Sequence, residues 1–110
     1  MATMEEWQGL AIATGTIVDA RVHEHARKPA YVLRIDFGAD YGERTSCAQL
    51  RDNYSPEDLV GRQIVAVMNL PPRRVAGVAS EVLVLGAVSG QHGVVLLQPD
   101  RAVEDGAPIG

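Results

Sequence analysis

Two pairs of adjacent cations, Arg27-Lys28 and Arg73-Arg74, have the residue types and spacing best suited to a chemical task, and that task is holding phosphate. A guanidinium presents a planar fork of donors that matches phosphate bidentately and also stacks on bases. Pro71-Pro72 stands directly before the second pair, which stiffens the backbone and lets the guanidinium groups project from an arm of low entropy. Proline and charge also keep a sheet edge from pairing, and that role explains the same residues equally well. Other reactive groups form no recognisable set. His23-x-His25 would face one way on a strand, as two metal ligands must, but no acid or cysteine nearby completes a coordination sphere, so solvated loop histidines are expected and no metal. Asp19, Asp36 and Asp40 are too scattered for a carboxylate pair. No serine elbow, glycine-rich phosphate loop or Cys-His nucleophile occurs, so neither an enzyme nor a cofactor is expected.

The 110 residues suffice for one domain with its own core and not for two. At 46% hydrophobic and 22% charged, with no low-complexity tract, the composition is that of a globular chain rather than a disordered one. No apolar run approaches a membrane span, and Met1 to Leu10 lacks the basic start and apolar run of a signal peptide, so a cytoplasmic address without membrane insertion is the expectation. The single cysteine, Cys47, allows no internal disulfide and reads as a small half-buried hydrophobe in a reducing compartment. A net charge of -4 argues at first against a polyanionic partner. Glu5, Glu6, Asp100, Glu104 and Asp105 lie in the terminal segments, however, and residues 9 to 97 hold equal numbers of acids and bases. A neutral middle can carry a basic face if its acids point elsewhere.

The elements that must position these cations read as mostly β with two short helices. Thr3-x-x-Glu6 has the form of a capping box and predicts one helical turn carrying Trp7, stopped by Gly9. Leu10 to Val22 is small and β-branched, a long strand in which Gly15 marks a bend or bulge. Ala30 to Phe37 alternates, with Tyr31, Leu33, Ile35 and Phe37 on one face and Val32, Arg34 and Asp36 on the other. A glycine-rich turn leads to a third strand, Glu43 to Leu50. Ser55-Pro56-Glu57-Asp58 starts a second short helix that Gly61 closes. Gln63 to Asn69, Glu81 to Leu85 and Val94 to Leu97 complete the strands, with Gly86, Gly90 and Gly93 as turns between the last two.

Three strands, a helix and two more strands is the order of an all-β OB-fold barrel, expected here over residues 10–98 with terminal extensions on either side; an SH3-like barrel or a small sandwich are the alternatives. Such barrels bind oligonucleotides on the face of strands two and three, flanked by the loops joining strands one to two and four to five. Those loops are His23 to Pro29 and Leu70 to Ala79, and each contains one of the two basic pairs.

The run Asn69-Leu70-Pro71-Pro72-Arg73-Arg74-Val75-Ala76-Gly77-Val78-Ala79-Ser80-Glu81-Val82-Leu83-Val84-Leu85-Gly86 resembles the signature of the CsaA branch of the tRNA-binding domain family. Gly15-Thr16-Ile17-Val18, Ala26-Arg27-Lys28-Pro29-Ala30, Ile35-Asp36-Phe37-Gly38, Ala48-Gln49-Leu50 and Val95-Leu96-Leu97-Gln98-Pro99-Asp100 agree with it, so the resemblance covers nearly the whole chain. More distantly the chain is similar to the C-terminal tRNA-binding domain of methionyl-tRNA synthetases. The resemblance implies an OB barrel extended at both ends, a homodimer joined through the extensions, and tRNA bound by shape and backbone without catalysis. Carried over by position, the contact surface comprises Ser46, Gln49, Asn69, Arg73, Arg74, Ser80 and Glu81, with Arg27, Lys28 and Arg34 adding charge. The wider family has a His-Pro-x-Ala-Asp-Lys-Leu-like run in the first loop; here it reads His23-Glu24-His25-Ala26-Arg27-Lys28-Pro29, which fits the CsaA branch better than the synthetases.

CsaA proteins are also described as export-related chaperones, so the resemblance implies a second function: binding unfolded peptides or export partners in apolar grooves near the dimer seam. Trp7 to Ile12 and Val103 to Ile109 carry the apolar residues a dimer would bury, although packing on their own subunit accounts for them as well. Only 5% of residues are aromatic, which leaves little for base stacking and favours recognition of RNA by shape.

Overall fold

The computed structural model describes all 110 residues and contains nine strands and two short helices joined by turns and loops. Helix α1 (Met4–Gln8) and helix α2 (Pro56–Leu59) both begin with a complete capping box, on Thr3 with Glu6 and on Ser55 with Asp58. Strands β1 (Ile12–Val22), β2 (Tyr31–Asp36), β3 (Glu43–Ala48), β4 (Gln63–Val67) and β7 (Leu83–Val84) form one antiparallel sheet in the order β3-β2-β1-β4-β7. Long β1 bridges both halves, pairing with β4 through its first residues and with β2 through its last. The sheet curls into a nearly closed barrel, as the element order predicts for an OB fold.

Inside the barrel, Ile17, Leu33, Ile35, Phe37, Leu59 and Ile64 are fully buried, and each such side chain contributes about 1.5–3 kcal/mol. The inward face of β2 is as expected, because Tyr31, Leu33, Ile35 and, just past the strand, Phe37 all join this core while Arg34 stays exposed, but Val32 on the opposite face is buried as well. Leu59 of α2 plugs the interior from one end.

Gly15 has a different job from the expected bulge. It pairs regularly with Ile64, and a Cβ there would lie 2.6 Å from a Phe37 ring carbon and 2.8 Å from Ile35. The glycine therefore makes room for the largest core side chain, and the irregularity falls instead between Ile17 and Asp19. The first strand also starts later than expected, at Ile12, because the preceding Ala11 keeps a backbone bond through its carbonyl, which accepts from Met68 N at 2.7 Å, but not through its amide. Its N–H donates to Asn69 Oδ1 at 2.8 Å, while Asn69 Nδ2 donates to Gly9 O at 2.8 Å.

Beyond β4 the chain is more structured than the composition suggests. Residues 70–79 hold most of a two-stranded hairpin, β5 (Arg73–Val75) with β6 (Val78–Ser80), joined by Ala76 and Gly77 at φ values of +46° and +87°. Two consecutive positive φ angles are the mark of a type I′ hairpin turn. The expected fifth strand, Glu81 to Leu85, is interrupted, and Gly86 opens a strand instead of a turn: β8 (Gly86–Ser89) pairs with β9 (Gly93–Leu96). Gly86 fits there because a Cβ would meet Val94 at 2.8 Å.

The open edge of β3 is closed by the segment after the hairpin. Glu81 N donates to Thr45 O at 2.8 Å, Thr45 N donates to Glu81 Oε1 at 2.9 Å, Cys47 N donates to Ser80 Oγ at 3.0 Å, and Ser46 Oγ donates to Val82 O at 2.9 Å. Side chains here supply acceptors that a regular ladder would supply from backbone. The C-terminal extension returns along β1. Gly106 N donates to Thr14 O at 2.8 Å, Thr14 N to Ala107 O at 3.1 Å and Ile109 N to Ile12 O at 2.9 Å, and Gln63 exchanges two hydrogen bonds with the Val103 backbone. Both extensions are thus tied to their own barrel.

Candidate nucleic-acid interface

The two basic loops meet at one place. Arg27 and Lys28 from the β1–β2 loop, Gln49 from the end of β3 and Arg73 from β5 border a groove of about 720 Å³ whose floor is aliphatic, including Leu50, Val75, Leu85, Val94 and Leu96, with exposed Val88 at its edge. No aspartate or glutamate lines it. Arg27, Lys28, Gln49 and Arg73 are exposed at its rim, so their polar groups are free to meet a ligand. An acid-free cationic rim over a low-dielectric floor concentrates positive potential, the condition for attracting phosphate.

The β5–β6 hairpin separates this groove from a second, smaller cleft of about 380 Å³ on its β6 side. The cleft holds Arg21 and Arg34, yet it also holds Asp19 and Glu81. Arg34 is further engaged, with Nε donating to Glu43 Oε1 at 2.9 Å and an amino group donating to Thr45 Oγ1 at 3.1 Å. Its charge is balanced locally.

Arg73 and Arg74, adjacent in sequence, diverge in space. The cross-strand partner of Arg73 is Ser80, which is buried against β3, whereas that of Arg74 is exposed Ala79, so Arg74 occupies the outer face of the hairpin. There its guanidinium donates to Gly77 O at 3.1 Å, bracing the turn.

Four other residues assigned to the contact surface have bonds elsewhere. Ser46 is 1% exposed and Ser80 5% exposed, and together with Glu81 they close the barrel as described. Asn69 clamps the N-terminal extension. Ser46, Ser80 and Glu81 hold the β3 edge closed, and Ser46 and Ser80 offer no surface to a ligand.

His23 departs from its expectation. Rather than a solvated loop histidine it is 5% exposed, and its Nε2 donates to Val75 O at 2.6 Å, across 52 residues, while His25 is exposed. The two imidazoles share no strand face, because the strand ends at Val22. Cys47 lines the groove wall as a buried thiol. Burial pushes it above its ordinary 9.0, against the opposing pull of the Arg73 and Arg21 charges.

The family model described as "Putative tRNA binding domain" matches residues 12–108, and the chain belongs to that family. Solved structures similar to it over the full length of both chains are CsaA chaperones. The structure of chaperone CsaA from Bacillus anthracis str. Ames is 49% identical with a TM-score of 0.94, covering 100% of this chain and 99% of that one. CsaA chaperone protein from Picrophilus torridus is 42% identical with a TM-score of 0.95, covering 100% of both chains. Methionine–tRNA ligase from Pyrococcus furiosus is 37% identical over 107 residues, which are 97% of this chain and 14% of the ligase. The chain therefore spans about one seventh of those synthetases.

Proposed function

We propose that this protein binds tRNA without catalysis, as a cytoplasmic homodimer, through the acid-free groove rim. The observation that carries the reading is the convergence of Arg27, Lys28 and Arg73, drawn from two loops about 45 residues apart, on one groove in a chain of a tRNA-binding family. Arg74 on the outer hairpin face extends the positive surface, and Gln49 adds a neutral donor at the rim. Arg34 contributes least, being already paired with Glu43. The exposed Trp7, Leu10, Val103 and Ile109 of the extensions supply the apolar area of a dimer seam, which would place two grooves on one assembly and let it span a folded RNA. The test is a gel-shift assay with total tRNA. Retention at about 50 mM salt should fall by orders of magnitude at about 200 mM. Arg73→Ala with Arg74→Ala should abolish retention while leaving the oligomeric state intact, and undiminished binding by that variant would refute the assignment.

A second reading, a chaperone for unfolded peptides, is favoured by the same groove's aliphatic floor and by the names of the two CsaA neighbours. It predicts that suppression of client aggregation survives the double substitution and fails when the floor is blocked, for example by Leu85→Arg at a half-buried position.

A further inference from the structure

We propose that His23 is the positioning residue that holds the two basic loops at the spacing RNA requires, an inference that rests on the RNA reading of the groove. Residues 23–29 contain no strand, and their cations hang on a loop closed only by His23 N donating to Ala30 O at 3.0 Å and Ala26 N donating to His23 O at 3.5 Å. The hairpin opposite is asymmetrically attached. Strand β6 is fixed to the barrel through Ser80 and the residue that follows it, whereas β5, which carries Arg73, has β6 as its sole strand partner. The one hydrogen bond that joins the 23–29 loop to the hairpin is the 2.6 Å contact from His23 Nε2 to the Val75 carbonyl.

Because a carbonyl only accepts, the Nε2 position carries the proton, and a buried N–H of this kind holds its acceptor in place. Val75 lies two residues from Arg73 on the groove wall, and Arg27 lies four residues from His23 on the facing rim. The imidazole is buried, so it touches no ligand itself and acts through the cations it spaces. Preset spacing lowers the ordering cost of engaging phosphates from both rims at once.

The experiment compares the full-length wild type with His23→Phe, which keeps the ring and loses the donor, and with His23→Gln, which restores an N–H of similar reach. Hydrogen exchange of the 73–80 amides reports the tie directly, and tRNA titrations across a salt series report its consequence. In His23→Phe the hairpin amides should exchange faster. tRNA affinity at low salt should drop about tenfold, and the slope of log K against log salt should become shallower by about one to two units, as phosphates on one rim disengage. His23→Gln should recover most of both effects. The loss should also be non-additive: in an Arg27→Ala, Lys28→Ala background, His23→Phe should change affinity by less than about twofold, because one rim is already silent. A general loss of stability would instead add its penalty in every background. Unchanged hairpin exchange, or unchanged affinity and slope in a wild-type background that binds tRNA, would overturn the tie. A wild type that retains no tRNA at low salt would overturn the RNA reading itself, and that result is visible before any His23 variant is made.

Discussion

The groove and the cleft border the two strands of the same hairpin, β5 and β6, and each gathers arginines, yet their electrostatics diverge. Arg27, Lys28 and Arg73 face the groove with no acid among its lining residues, whereas Arg21 and Arg34 share the cleft with Asp19 and Glu81, and Arg34 is paired with Glu43 besides. Counting arginines, two in each, would rank the two alike. What separates them is neutralisation at short range, because a carboxylate at contact distance cancels a cation far more effectively than the distant acids responsible for the net charge of -4. A slightly acidic protein can thus carry one surface fit for phosphate.

The largest expected effect breaks the groove side of this comparison. Arg27→Ala, Lys28→Ala and Arg73→Ala together should weaken tRNA binding by roughly a hundredfold or more at low salt and reduce the salt slope by about two to three units, measured by titration at several salt concentrations. Next in size is a conversion of the cleft. Asp19→Asn with Glu81→Gln removes its negative charge, while the side-chain amide oxygen introduced in place of the Glu81 carboxylate can still accept from Thr45 N. In that variant tRNA affinity should rise about threefold and the slope steepen by about one unit. Arg34→Ala in the unmodified protein should change affinity by less than about twofold, because that exposed guanidinium is already occupied.

The smallest effect concerns the thiol on the groove wall. Burial raises the Cys47 pKa above 9.0, so the unfolded chain ionises first. The stability this shift represents is present below about pH 9 and is lost as the pH climbs toward the folded value. Chemical denaturation between about pH 8 and 10.5 should therefore show a decline in wild type that is shallower in Cys47→Ala. Arg73→Ala, which removes an opposing positive charge, should move the onset of thiol ionisation in the folded protein to still higher pH.

Local rules made some of this molecule readable from residues alone. Both helices start where a hydroxyl and an acid three residues later satisfy backbone donors, and the inner face of β2 follows from simple alternation. Readings failed where the deciding partner was remote in sequence. Gly15 is required by Phe37, Gly86 by Val94, and the buried place of His23 by a carbonyl 52 residues away; glycine and histidine types alone carry none of that information. The basic pairs were legible as charge, but the divergence of Arg73 from Arg74 depends on the hairpin that Pro71-Pro72 masked as an irregular arm. Ser46, Ser80 and Glu81 entered through resemblance as surface residues. None of the three lines the groove, Glu81 lies in the second cleft, and their hydrogen bonds are spent closing the barrel.

The central claim, that phosphate is met by the uncompensated rim and not by the balanced cleft, is tested most directly by following backbone amide resonances of the full chain as tRNA is added at low salt. Residues 26–28, 49 and 73–76 should shift or broaden first and recover when salt is raised, while 19–21 and 34 stay unmoved. First and strongest perturbation at 19–21 and 34, with the groove rim silent, would contradict the account.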